Sequence, residues 1–274
     1  MKEKRKFSLK RAKFRAMRHS STAYAWLIYL FLYLPIAVVV LFAFNENANN
    51  IKFTGFSLQW FSVLAKDKGL LASFGNTIII AVISTLVSTV IGTLAAVGMW
   101  RYKFKGKGII DALLYIPVVI PEIVLGISLL SLFSLAHVPM GLFSLILAHV
   151  TFQAPFVVFT VRARLFGFDR SIEEASMDLG ANRIKTFLNV TLPVIMPGVI
   201  SGALLAFTLS IDDVIISSFT AGSATVTFPI KVMELIRGGI KPDVNALTVL
   251  ILAATSLLAV LTQAGGLKKK SKRK

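Results

Sequence analysis

Six apolar runs, each close to the length that crosses a bilayer, constrain this chain more than any other feature. A hydrocarbon core about 30 Å thick is spanned by about 20 helical residues. The runs are residues 24–44, 77–100, 109–135, 142–161, 194–211 and 245–264. Of the 274 residues, 55% are hydrophobic and the mean hydropathy is +0.76, which is too apolar for a soluble domain of this length. The expected fold class is therefore an all-α membrane protein with six transmembrane helices. The first run exceeds a signal-peptide core and lacks a small-residue cleavage site, so it reads as a retained anchor. Gly92 and Gly98 would let the second run approach its neighbours closely. Pro117, Pro121 and Glu122 interrupt the third run, and Pro155 lies inside the fourth. Residues 45–75 are mixed in polarity, with Trp60 and Phe61 suited to an interface. Residues 214–243 carry Gly222, Pro229, Gly238, Gly239 and Pro242, a pattern that predicts a re-entrant or short surface helix.

The net charge of +17 would point to nucleic acid in a soluble protein. Here the basic residues sit at the ends of apolar runs, so the membrane reading prevails. Residues 1–20 hold nine Lys/Arg and one acid, Glu3. Residues 1–22 are expected to form a basic tail without ordered structure beside anionic headgroups. A second basic tail follows at 266–274, leaving 23–265 as one six-helix domain. With both termini in the cytoplasm, 24 Lys/Arg face inward and six face outward. The outward ones are Lys52, Lys66, Lys68, Lys231, Arg237 and Lys241, so the positive-inside rule is met.

Between the fourth and fifth runs, residues 171–193 form the longest stretch of mixed polarity, and this orientation places them in the cytoplasm. Ser171 and Glu174 have capping-box spacing, which starts a helix near Ile172. Ile172, Ala175, Ser176 and Leu179 share one face of it. Gly180 ends it in the left-handed conformation, and Asn182 caps a second short helix carrying Arg183 and Lys185. Pro193 opens the next run where a missing N–H does no harm. The pattern predicts a helix–Gly–helix elbow presented to water.

The chemistry of most enzymes is absent from the sequence. No Gly-x-x-x-x-Gly-Lys-Ser/Thr loop occurs, so the chain is not expected to bind or hydrolyse ATP. There is no cysteine, hence no disulfide or thiol chemistry. His19, His137 and His149 have neither metal-ligand nor triad spacing, and His149 reads as a packed or hydrogen-bonded core residue. The informative polar groups are acids near apolar runs, because a carboxylate in hydrocarbon needs a cavity, a partner or water. Measured along straight helices, Glu122 falls about 20 Å into the third run and Asp212-Asp213 about 27 Å into the fifth. Both levels lie in the outer half, so helices facing one cavity would form an anionic site open to the outside. The alternative for Asp212-Asp213 is a hydrated helix end at the outer interface.

The elbow residues Glu174-Ala175-Ser176, Gly180 and Val190-Thr191-Leu192-Pro193 resemble the EAA motif of the membrane subunits of ATP-binding-cassette importers. That motif runs Glu-Ala-Ala, three residues, Gly, nine residues, Ile-x-Leu-Pro; Ser176 and Val190 are the departures here. Residues 207–219 (Phe-Thr-Leu-Ser-Ile-Asp-Asp-Val-Ile-Ile-Ser-Ser-Phe) resemble the permeases of polyamine importers. So do His149-Val150-Thr151-Phe152, Pro155-Phe156-Val157-Val158 and Lys241-Pro242-Asp243-Val244-Asn245-Ala246-Leu247. The likeness covers most of the chain from Tyr102 onward and is greatest to the C-type permeases of spermidine/putrescine systems, although the N-terminal basic tail is longer than expected for them. The resemblance implies a type I importer permease fold in a prokaryotic plasma membrane. It implies a substrate path at Glu122, Asp212 and Asp213, and ATPase coupling through Glu174, Ala175, Ser176, Gly180, Leu192 and Pro193. The implied partners are a B-type permease in a heterodimer, a dimer of ATPase subunits that bind the ATP and Mg, an extracellular polyamine-binding protein and the polyamine itself. No cofactor, metal site or nucleic-acid partner is implied for this chain. The alternatives are the same scaffold serving ferric ion, thiamine or an amino acid, and, from other classes, a membrane enzyme or a self-contained secondary transporter. Acids in the path argue against an anionic substrate, and the elbow argues against a transporter without an ATPase.

Overall fold

The structure, a computed structural model, describes residues 2–48, 51–223, 225–238, 242–253 and 256. It divides into two compact units, residues 68–236 and residues 1–67 with 237–274. All the elements described below are helical apart from one isolated antiparallel bridge between Asn45 and Phe56.

In the smaller unit, α1 runs from Lys2 to Ala43, with Ser21–Ala43 long and apolar enough to span. The expected unstructured basic tail is therefore helical from residue 2. The physical reason is local: no Gly or Pro occurs before Pro35, and Lys, Arg, Ala and Met all favour helix. After α1 the chain folds around Asn45, which is fully buried. Its side chain donates to the Lys52 carbonyl at 2.9 Å and accepts from the Thr54 N–H at 2.9 Å. Trp60, in α2 (Gln59–Leu64), donates its indole N–H to the Asn45 carbonyl at 2.5 Å. Phe61 sits beside Phe44, which also stacks on Phe56. Trp60 thus ties α2 to the end of α1. The last helix described, α12 (Pro242–Ala253), contains the start of the sixth run. Residues 257–264 of that run and the tail at 266–274 lie outside the described residues.

The larger unit is built on α3 (Lys68–Arg101), α6 (Leu142–Leu165) and α9 (Leu192–Ile211). Ala96 and Val97 of α3 meet Val157, Val158, Val161 and Leu165 of α6, and Ile195 and Ala206 of α9, in one buried cluster. Helices in lipid associate by close van der Waals packing, which favours glycine at the crossings. A Cβ on Gly92 would stand 2.7 Å from the Val157 Cβ, and one on Gly198 would stand 2.7 Å from the Arg164 Cβ. Gly92 thus meets its expectation, whereas a Cβ on Gly98 would meet nothing within 4 Å among the described residues. Outward residues such as Leu86, Val90 and Leu94 are apolar and exposed, as a lipid-facing surface requires.

The third apolar run is not a straight span. It divides into α4 (Lys107–Val119) and α5 (Glu122–Leu135), bent by 113° at a two-residue break. Ile120 is extended because the ring of Pro121 disfavours helix in the residue before it. Pro121 itself is extended and stands as the N-cap of α5. α5 then pairs with α10 (Ile215–Thr220), another short helix after a break. Leu129 and Phe133 of α5 pack on Ala148 and Phe152 of α6 and on Ile216 of α10. The irregular region expected after Asp213 consists of α10 and α11 (Phe228–Gly238), with Thr77 accepting the Phe228 N–H at 2.8 Å.

Candidate functional site

The breaks after α4 and after α9 open into the same space. A cavity of about 340 Å³ is lined by Pro117, Val118 and Ile120 from the end of α4, Glu122 and Leu125 of α5, and Phe152 and Phe156 of α6. Leu209 of α9 and residues 212–216 complete it. The structure therefore brings Glu122, Asp212 and Asp213 together around one cavity. The depth reckoned for Glu122 along a straight third helix does not hold, because the chain turns at Pro121. Glu122 occupies the first turn of α5, where the helix dipole favours a carboxylate.

The three acids differ in what holds them. Glu122 and Asp212 are exposed to the cavity, and neither carboxylate has a hydrogen-bond or ionic partner among the described residues. Asp213 is buried and its oxygens are engaged. They accept the Ile216 N–H at 3.2 Å, the Ser217 N–H at 2.7 Å and the Ser217 hydroxyl at 2.6 Å. Asp213 thus caps the start of α10. The helix-end reading of Asp212-Asp213 and the cavity reading coincide, since α9 ends at Ile211 and both acids line the space beyond it.

Behind Asp213 lies a polar network that the sequence reading did not assemble. His149 Nε2 is 3.0 Å from the Ser217 hydroxyl and 3.5 Å from the Asp213 carboxylate. Its Nδ1 is 2.7 Å from the Ser210 hydroxyl. Ser210 lies 3.4 Å from the Ser84 hydroxyl, and Gln153 bridges Ser84 at 3.2 Å and Ser88 at 3.1 Å. Every member is buried, so in hydrocarbon each polar group needs the others. The network joins α3, α6, α9 and α10, and it gives His149 the hydrogen-bonded core role expected of it. The overlooked signal is spacing: Ser84/Ser88 and His149/Gln153 are polar pairs four residues apart, which puts each pair on one helix face, and Asp213 precedes Ser217 by the same interval at the start of α10.

At the opposite end of α9, the elbow has the expected outline with two corrections. α7 spans Ser171–Asp178, and Ser171 is inside it rather than its cap. The Ser171 N–H is received by the Asp169 carboxylate at 2.9 Å. That backbone bond, followed by one from the Ser171 hydroxyl, holds Asp169 below the ordinary carboxylate range. Gly180 has φ of 89°, with its N–H on the Met177 carbonyl and the Ala181 N–H on the Ser176 carbonyl. Those two bonds form a Schellman close. Asn182 caps α8 (Arg183–Thr186) by accepting the Lys185 N–H at 2.9 Å. Pro193 takes the second position of α9 as expected, and the second correction is that the helix does not begin there. Helix continues from Arg183 to Ile211, with a π turn at Phe187–Thr191 that ends in Leu192 N–H bonding to the Phe187 carbonyl. Pro193 offers no N–H to the carbonyls of the preceding turn, and the π turn stands directly before it.

Glu174 and Ala175 are exposed, and Ser176 is half-buried, 3.3 Å from the Thr186 hydroxyl. Leu192 packs against the α3–α6–α9 cluster, while Pro193 is exposed. Leu179, 90% exposed, and Ile184, 70% exposed, give the elbow an apolar outer surface. Glu173 is the residue of α7 turned inward, and nothing in the local sequence separates it from Glu174.

A multi-pass helical protein with broken helices around an acid-lined cavity, and an elbow of mixed polarity at the far end of α9, is built as a transport subunit. Residues 88–265 match the family of binding-protein-dependent transport system inner membrane components, and the chain belongs to that family. It is 39% identical over 236 residues to the spermidine/putrescine transport system permease protein PotC of Escherichia coli K12, covering 86% of this chain and 89% of the relative. It is also 39% identical over 240 residues to the putrescine transport system permease protein PotI of the same organism, covering 85% of each. The fold is that of a chain in the crystal structure of a bacterial ABC transporter involved in the import of the acidic polysaccharide alginate. That match has a TM-score of 0.71 at 14% identity and covers 91% of this chain and 96% of the other.

Proposed function

We propose that this chain is one of two permease subunits of an ATP-driven polyamine importer, and that the cavity at Glu122, Asp212 and Asp213 is its substrate path. One observation carries the reading: two carboxylates without a partner among the described residues share a cavity with Asp213, and its remaining walls are apolar. A polyamine has ammonium groups separated by methylene chains. Its charges suit Glu122 and Asp212, and its methylenes suit Pro117, Val118 and Leu209, with the rings of Phe152 and Phe156 one helical turn apart. Asp213 holds the floor of the cavity through α10. Relatives that carry spermidine or putrescine in their names support the substrate class.

In this reading residues 23–265 form one six-helix domain with both termini in the cytoplasm of a prokaryotic cell, and a B-type permease completes the pore. An external binding protein delivers the polyamine, and a separate ATPase dimer holds the ATP and Mg. The elbow at Glu174, Ala175, Ser176, Gly180, Leu192 and Pro193 sits on one ATPase subunit. Closure of the ATPase dimer moves the elbow, and the spans rock as rigid bodies between outward-open and inward-open arrangements. The positive-inside count and the exposed apolar surface of the elbow support this assignment.

The test is ATP-dependent uptake of labelled spermidine by vesicles containing the complete complex, with Glu122→Gln and Asp212→Asn made singly and together. Each single change should raise the apparent KM about tenfold, and the pair by more, with assembly unchanged. Unaltered uptake in the assembled double variant would remove the carboxylates from the path.

A further inference from the structure

α7 is an outward-facing helix with one inward anchor. Ile172, Met177 and Leu179 are exposed, whereas Glu173 is only 5% exposed. A buried carboxylate is costly unless it is paired and hydrogen-bonded. Glu173 is held by two donors on one oxygen. Arg101, in the last turn of α3, donates to Oε1 at 2.5 Å, and the Thr191 hydroxyl of the π turn donates to the same atom. A second tie lies beside the first. Arg170, immediately before α7, stands over the Trp100 ring at 4.6 Å and donates to the Trp100 carbonyl at 2.6 Å.

The covalent route from α7 to α9 is less direct. It passes through Gly180, whose left-handed backbone has open space around it, then Asn182, then the π turn. A displacement of α7 could be dissipated in those joints. Charge-assisted hydrogen bonds are short and directional, so the Glu173 contacts bypass the joints and fasten α7 to α3 and to the base of α9. We propose that Glu173 is a positioning residue, the central member of an Arg101–Glu173–Thr191 clamp that makes the elbow, α3 and α9 move as one body. The proposal rests on the reading of the chain as an ATP-driven permease, and it assigns coupling to a residue outside the expected coupling set.

The experiment uses the complete complex in vesicles, with ATP hydrolysis and spermidine uptake measured on the same samples. Glu173→Gln keeps the size of the side chain and an acceptor for Thr191, but removes the charge that holds Arg101. Thr191→Val removes the other donor without touching a charge. In both variants hydrolysis stimulated by the loaded binding protein should stay within about twofold of native, while uptake per ATP falls about tenfold. Exchanging the charges, Arg101→Glu with Glu173→Arg, should restore part of the ratio. A purely structural role would lower hydrolysis and uptake in proportion, or lower the yield of complex, and leave the ratio unchanged; either result overturns the clamp. If Glu173→Gln does not assemble, Thr191→Val decides. A native complex that hydrolyses ATP in response to its binding protein but takes up no spermidine would refute the substrate instead. The clamp is then judged by the same ratio of uptake to hydrolysis measured with labelled putrescine.

Discussion

Neighbouring aspartates in the cavity should respond to the same substitution in opposite ways. Asp213→Asn acts on a buried group whose two oxygens accept three hydrogen bonds. The amide keeps one oxygen. Facing Ser217 it retains the two short bonds, and its NH2 then opposes the Ile216 N–H. The change removes one bond and the charge assistance of the other two, a loss of about 2–3 kcal/mol for bonds to a buried charged group. The adjoining His149–Ser210–Ser84 chain loses its anionic end at the same time. For a protein of this size the loss corresponds to a fall in melting temperature of roughly 5–10 °C. Asp212→Asn changes an exposed group without a partner among the described residues, so its melting temperature should stay within about 2 °C of native. The assay is thermal unfolding of the purified complex in one detergent, followed by loss of the monodisperse peak, beside spermidine uptake for both variants. Asp212→Asn should impair uptake without loss of stability, and Asp213→Asn should lose stability. Equal melting temperatures for the two variants would refute the assignment of Asp213 as the α10 cap.

Gly92→Ala drives a Cβ to within 2.7 Å of Val157 and 3.0 Å of the Ala154 carbonyl, so it should destabilise the assembled complex by about 1–3 kcal/mol, seen as a lower melting temperature. Gly98→Ala meets nothing and should be neutral in the same assay. Gly180→Val places a β-branched residue at φ of 89°, a cost of about 1–2 kcal/mol, and should reduce ATPase stimulation by the binding protein while the cavity still accepts substrate. Asp169 is held below the ordinary carboxylate range by the Ser171 N–H and then the Ser171 hydroxyl. Its folded value lies under its unfolded one, so its contribution to α7 is complete above about pH 4 and is lost as pH falls through the folded value. Hydrogen exchange at the Ser171 amide should rise relative to the intrinsic pH dependence of amide exchange only in that acid range, and Asp169→Asn should abolish the acid step.

The resemblance read from the chain led to the right family, and the elbow was legible almost residue by residue. Gly180, Asn182 and the short helices beside them depend on backbone chemistry within a few positions, which a linear reading can supply. The continuous helix from Arg183 to Ile211 was harder, because Pro193 signals a helix start equally well when it follows a π turn. At the N-terminus a basic composition does not mean missing order, because nothing in residues 2–34 breaks a helix.

By itself, then, the sequence determined what local rules decide: apolar runs of membrane length, the charge asymmetry across them, and the turn chemistry of the elbow. Tertiary structure decided the rest. The prolines marked a break at Pro121, but only packing of α5 against α10 set the 113° turn that carries Glu122 to the cavity of Asp212. Gly92 and Gly98 look alike in sequence, yet one meets Val157 and the other meets nothing. Glu173 and Glu174 are adjacent acids, and only one is buried, because Arg101 and Thr191, 72 and 18 positions away, converge on it. His149 finds Ser210 and Ser217 at separations of 61 and 68 residues. Such partners are chosen by which helix faces meet, and the energy that selects them exists only once the helices are in contact.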